Sequence, residues 1–197
     1  MSEETNLPTK PSEKRVVNLS AFRKNAKAIA EQVEASGPDV AFLKFSKLGR
    51  FELGKERQEV PPGTKVRVPI GSLVTGFIAW EGGRPVGQVV KPLDEGAVDP
   101  STLPPTTASR GWEPLVGFGV ILPDGTEAAF STSTVGGRNA FASLIRQINE
   151  QIEEVEETMG LDGFTPEEII VELDSDSYNH KEYGRVFYPV FRVVSIK

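Results

Sequence analysis

The chain has 197 residues, is 38% hydrophobic and 25% charged, carries a formal net charge of -6 and contains no cysteine. That length supports one domain with a real core, and the missing thiols exclude disulfides, thiolate metal sites and cysteine nucleophiles. No apolar run approaches the roughly 18 residues of a membrane span, and the opening MSEETNLPTKPSEKR has no apolar stretch for a signal peptide, so a cytoplasmic location is expected.

The charge is segregated. Between Glu150 and Asp176 lie eleven acidic residues and no Lys or Arg, which leaves 22 basic against 17 acidic residues elsewhere. The acid therefore belongs to one local surface, either a solvated helix face and loop or a surface that docks a partner or repels charge, and the remainder is mildly basic.

In chain order, residues 1–15 form a polar tail with almost nothing to bury, and residues 16–197 form one β-rich domain. Leu19, Phe22, Ala26, Ile29, Ala30 and Val33 recur at helical spacing, with Ser20 as cap and Gly37-Pro38 as the stop. From Val40 the pattern shortens to alternation, which predicts strands near 40–46, 50–54, 64–69, 72–81 and 84–91, with a glycine hairpin turn at Glu81-Gly82-Gly83-Arg84. Gly76 inside the fourth of these marks a bulge or bend. A Pro-, Ser- and Thr-rich loop follows and is closed by Trp112, read as its anchor to the core. Pro114–Leu122 and Glu127–Ser133 pair around the Pro123-Asp124-Gly125 turn. Gly136-Gly137-Arg138-Asn139 leads into a helix whose stripe is Phe141, Leu144, Ile145, Ile148, Ile152 and Val155, ended by Met159-Gly160. Ile169–Leu173 then enters a hairpin running to Ile196. The order from residue 72 onward, with its helix between the third and fourth strands, is that of a five-stranded OB barrel. The expected fold is α+β: an OB-like barrel over about 72–197, additional N-terminal strands and two helices.

No phosphate loop, dinucleotide fingerprint or serine elbow is present, and His180 is the chain's one histidine, so an enzyme is not expected and no cofactor is implied. Glu172, Asp174 and Asp176 alternate and offer oxygen ligands for Mg²⁺ or Ca²⁺, though an Asx turn has the same composition. The stronger pattern is the interleaving of rings and cations in Tyr178, His180, Lys181, Tyr183 and Arg185, read as a loop between the last two barrel strands. Bases stack on such rings while cations follow phosphates; the alternative reading makes the tyrosines half-buried corner residues with satisfied hydroxyls. Trp80, Arg84 and Lys91 on the earlier hairpin, and Arg138 at the helix start, would extend that track.

The Trp80–Lys91 hairpin, Phe130–Ser133 followed by Gly136–Ala140, and Ser177–Lys181 running into Tyr183–Arg185 and Pro189–Phe191 together resemble a group of small tailed-phage and prophage proteins of unassigned function, with a weaker resemblance to phage OB-fold single-stranded DNA-binding proteins. The resemblance implies host bacterial cytoplasm and a role in DNA replication or recombination, with single-stranded DNA as partner, replication or recombination proteins docking on the Glu150–Asp176 surface, and a homo-oligomer left open. The rival expectation is a protein-interaction module, an inhibitor of a host factor or a virion-associated subunit, acting through that same acidic surface.

Overall fold

A computed structural model describes residues 41–160, 164 and 166–197. The expected polar tail and the helix built on Leu19–Val33 lie outside the described residues. Ten strands and one long helix follow one another: β1 (Ala41–Phe45), β2 (Phe51–Leu53), β3 (Gln58–Val60), β4 (Thr64–Pro69), β5 (Val74–Glu81), β6 (Arg84–Pro92), β7 (Trp112–Ile121), β8 (Glu127–Thr132), α1 (Val135–Met159), β9 (Glu168–His180) and β10 (Gly184–Ile196). Their hydrogen-bonded order is β10-β9-β4-β7-β8-β1-β2-β3, with β5 and β6 branching from β7. The sheet is mixed, because β1 runs parallel to β8 while the remaining pairs are antiparallel.

The concave face is made by alternate residues of each strand, as a half-buried sheet requires. Val66 and Val68 on β4 sit opposite Val171 and Ile169 on β9, and Phe118 on β7 sits opposite Phe130 on β8; all six are buried. Phe191, on the terminal strand β10, lies 5.2 Å from Phe118 and from Phe130 and 6.0 Å from Phe51 on β2, measured between ring centroids. Strands from opposite ends of the path therefore meet across one aromatic core, which curls the sheet into a half-barrel. The half-barrel is open, because β10 and β3 do not pair.

Strand β4 and strand β5 form one interrupted strand along β7. Arg67 pairs with Ile121 and Val74 with Gly117, and the short 3-10 turn Ile70–Ser72 makes the break. Ser72 repairs the ladder there: the Gly119 amide donates to its Oγ at 3.0 Å. The bend thus falls at this turn rather than at Gly76. Gly76 sits opposite Val90, where any Cβ would run into the Val89 carbonyl, and the bulge of the hairpin lies instead at the Ala79/Trp80 shift. Trp112 does anchor the long loop, its indole N–H donating to the Pro104 carbonyl at 2.8 Å while its ring packs over Gly87.

Helix α1 is capped by Thr134, whose Oγ1 accepts from the Gly137 amide at 3.2 Å, and ends at Gly160 in the left-handed region. Its buried Phe141, Leu144 and Ile148 close the core. Its other task is to cover the edge of β10. Gln147 donates to the Phe191 carbonyl at 2.9 Å and accepts from the Val193 amide at 3.0 Å, taking the place of a neighbouring strand. Pro189 falls on the same outward phase of β10, where a missing N–H breaks no ladder bond. No helix among the described residues is long and apolar enough to cross a membrane.

Candidate nucleic-acid interface

β9 and β10 each run for 13 residues, but β4 covers β9 only from Glu168 to Leu173. The stretch from Asp174 to His180, with its partners Gly184 to Val190, therefore leaves the sheet as a two-stranded ribbon. This changes the local reading of the sequence. Tyr178, His180 and Arg185 stand on strands, and only Lys181, Glu182 and Tyr183 make the turn. The Asp174–Ser177 segment continues the ladder instead of forming a free Asx turn.

The turn is organised by the histidine. His180 Nδ1 accepts from the Glu182 and Tyr183 amides at 3.2 and 3.3 Å, which brings its ring flat against Tyr183, with centroids 4.8 Å apart and planes 21° apart. Tyr183 is nonetheless 71% exposed. Arg185 donates from Nε to Ser177 Oγ at 2.9 Å, and its guanidinium lies 5.1 Å from the centroid of the Phe187 ring. Phe187 is in turn seated on Gly49 in the β1–β2 turn, where any Cβ would meet the ring. The ribbon root is thus held by the core domain while its tip is open to solvent.

The cations divide into two sets. Arg50, Arg67, Arg110 and Arg192 are ion-paired with Glu59, Glu168, Glu113 and the Glu172/Asp174 pair. Lys181 and Arg185 have no carboxylate partner among the described residues, nor do Arg84, Lys91 and Arg138. Unpaired cations keep their charge available to phosphate.

These residues do not form one track. β9 runs antiparallel to β4 and projects past Thr64, whereas β5 carries the chain the other way to Glu81. Trp80 and Arg84 therefore sit at the opposite end of the strand line from the Tyr178–Arg185 ribbon, and Lys91, paired with Thr75, lies between the two near the start of β5. Trp80 is half-buried at that opposite end, with Arg84 exposed near it at the hairpin turn, while Lys91 is exposed farther along β6. Arg138 is half-buried on α1, and its Nε has no hydrogen-bond partner among the described residues.

On the convex face of the ribbon stem the three alternating carboxylates are already engaged. Arg192 binds Asp174 Oδ2 at 2.5 Å and Glu172 Oε1 at 3.4 Å, and the Tyr188 hydroxyl donates to Asp176 Oδ2 at 3.0 Å. The hydrogen bond from Arg192, then the Ser175 amide, hold the Asp174 carboxyl below its usual range, while the bond to Asp176 pushes the Tyr188 phenol up. Among the described residues no three acidic or histidine side chains converge as a metal would require.

Two further surface features stand out, the first with no clear signal in the sequence and the second foreshadowed by the acidic run from Glu150 to Asp176. A groove of about 560 Å³ runs between the first half of α1 and the outer side of β10, with Asn139, Ser143 and Gln147 on one wall and Asp176, Tyr178 and Tyr188 on the other. Gly136 allows this close approach, since a Cβ there would lie 2.9 Å from Tyr188 Cβ. The second feature is the exposed acidic end of α1: Glu150, Glu153, Glu154 and Glu157 are exposed and carry no ion pair among the described residues.

Compared with known proteins, the chain matches no family model, and neither a curated protein nor a solved structure matches it significantly.

Proposed function

We propose that the protein binds single-stranded nucleic acid through the tip of the β9–β10 ribbon, presented by an open, OB-like half-barrel. The observation that carries this reading is the juxtaposition at the tip of a solvent-facing aromatic pair, Tyr183 on His180, with two cations, Lys181 and Arg185, that make no ion pair among the described residues. A base stacked on the exposed Tyr183 ring gains about 1–3 kcal/mol without regard to its identity, and the flanking cations take the adjacent phosphates. The reading places the protein on single-stranded DNA during replication or recombination in a phage-infected cell, as the resemblance of its motifs implies, and gives it no catalytic role.

Anisotropy titration of labelled oligo-dT and of a duplex of equal length, each at two salt concentrations, tests it. The single strand should bind more tightly, and affinity should fall with salt by a log–log slope of about 0.7 per phosphate contacted. The Tyr183→Ala/Arg185→Ala variant should lose at least tenfold in affinity with unchanged thermal stability. A variant that binds as the parent does, or a parent that prefers duplex, overturns the assignment.

A further inference from the structure

The groove between α1 and β10 lies beside the ribbon but has the opposite chemistry to its tip. Tyr178 and Tyr188 form its aromatic corner, their ring centroids 6.2 Å apart and their planes inclined at 43°, and the Asp176 carboxylate sits in that corner, hydrogen-bonded to Tyr188. Tyr178 is 51% exposed, so the corner is open to an entering group. The floor is apolar, with Val190, Pro189 and Ala140. Arg192 lines the far end, but its guanidinium is spent on Asp174 and Glu172, so this trio contributes net negative charge. Along α1 the wall Asn139, Ser143 and Gln147 continues at helical spacing into the exposed Glu150 and Glu154, which make no ion pair among the described residues.

Two rings and a carboxylate around an apolar floor favour an organic cation: the ring faces attract it, and the carboxylate supplies its counter-charge. A phosphate in the same position would face Asp176 and the acidic helix stripe. The length of the groove and the charge that continues along α1 suit an extended chain better than a small amine.

We infer that this groove docks an extended, arginine- or lysine-bearing segment of a partner protein, with one cationic side chain seated between Tyr178 and Tyr188 against Asp176 and further cations meeting Glu150 and Glu154. This is a second binding surface, independent of the ribbon tip.

The test uses the full chain and a fluorescein-labelled (Arg-Ala)5 peptide, with (Glu-Ala)5 and oligo-dT as competitors, read by anisotropy and by amide chemical-shift changes. The arginine peptide should bind and shift the amides of Asn139, Ser143 and Val190. Its affinity should fall at least tenfold in Asp176→Asn/Tyr178→Ser, and stay within twofold of the parent in Tyr183→Ala/Arg185→Ala. Because Asp176 and Tyr178 are both exposed, the first variant should keep the parent's circular dichroism; Glu150→Gln/Glu154→Gln, which leaves the groove walls intact, should weaken binding about threefold. The inference is overturned by equal affinity for parent and groove variants, by shifts confined to the ribbon tip, or by oligo-dT displacing the peptide from the groove.

Discussion

Replacing Gln147 with Leu removes a side chain that stands in for a missing strand. The shape is nearly kept, but the Phe191 carbonyl loses its 2.9 Å donor and the Val193 amide its 3.0 Å acceptor, both at a half-buried position beneath the helix. A backbone group left unpaired away from water costs about 1–3 kcal/mol. Partial burial places each group at the lower end of that range, so the expected loss is about 2–4 kcal/mol. For a domain of this size, roughly 2–4 °C per kcal/mol translates this into a melting-temperature drop of roughly 4–16 °C. Urea denaturation followed by tryptophan fluorescence gives the free energy, and native-state hydrogen exchange should show lost protection at the Val193 amide. Gln147→Glu refines the test. It keeps an acceptor for Val193 but sets a second acceptor against the Phe191 carbonyl, so its penalty should shrink as the carboxyl protonates. A loss below about 0.5 kcal/mol for Gln147→Leu, with Val193 still protected, would refute the idea that α1 seals the β10 edge through this side chain.

Three other outcomes are expected. Gly49→Ala combines a left-handed backbone, φ 77°, with a collision against the Phe187 ring; the backbone cost alone is about 1–2 kcal/mol, and the thermal melt should show it together with shifted Arg185 and Phe187 resonances. Thr134→Ala removes the cap of α1 and should cost about 0.5–2 kcal/mol in denaturant unfolding. The Asp174 carboxyl is held low by Arg192, so its contribution is fully present above the unfolded value near 4 and disappears as pH falls through the lower folded value. The stability gap between parent and Arg192→Gln should therefore be widest at neutral pH and narrow below about pH 4, and a gap constant down to pH 2 would contradict that coupling.

Much of the secondary structure was legible in the residues because its signals are local. Alternating apolar positions punctuated by Pro61-Pro62-Gly63, Gly82-Gly83 and Pro123-Asp124-Gly125 mark β4 to β8 closely. The apolar spacing of Phe141, Leu144 and Ile148 and the Gly160 stop mark the body and end of α1. β3 escaped this reading, since three residues, Gln58–Val60, carry too little pattern to register. The ribbon escaped for a different reason. Asp174, Ser175, Asp176 and Ser177 have turn composition, yet each pairs across the ladder with Val190, Pro189, Tyr188 or Phe187, partners of high β propensity save for the proline.

What the sequence determined by itself was the set of elements and the chemistry concentrated around residues 172–192, because periodicity and residue type are properties of the chain. Which of those residues share a surface was decided only by the tertiary structure. The register of β9 on β4 sends Tyr183, Lys181 and Arg185 to one end of the sheet and Trp80 and Arg84 to the other, with Lys91 between them opposite Thr75. The packing of α1 along β10 turns Asp176, Tyr178 and Tyr188 into the wall of an acidic groove. Strand order and helix placement depend on contacts between residues far apart in the chain, and a local pattern carries no record of them.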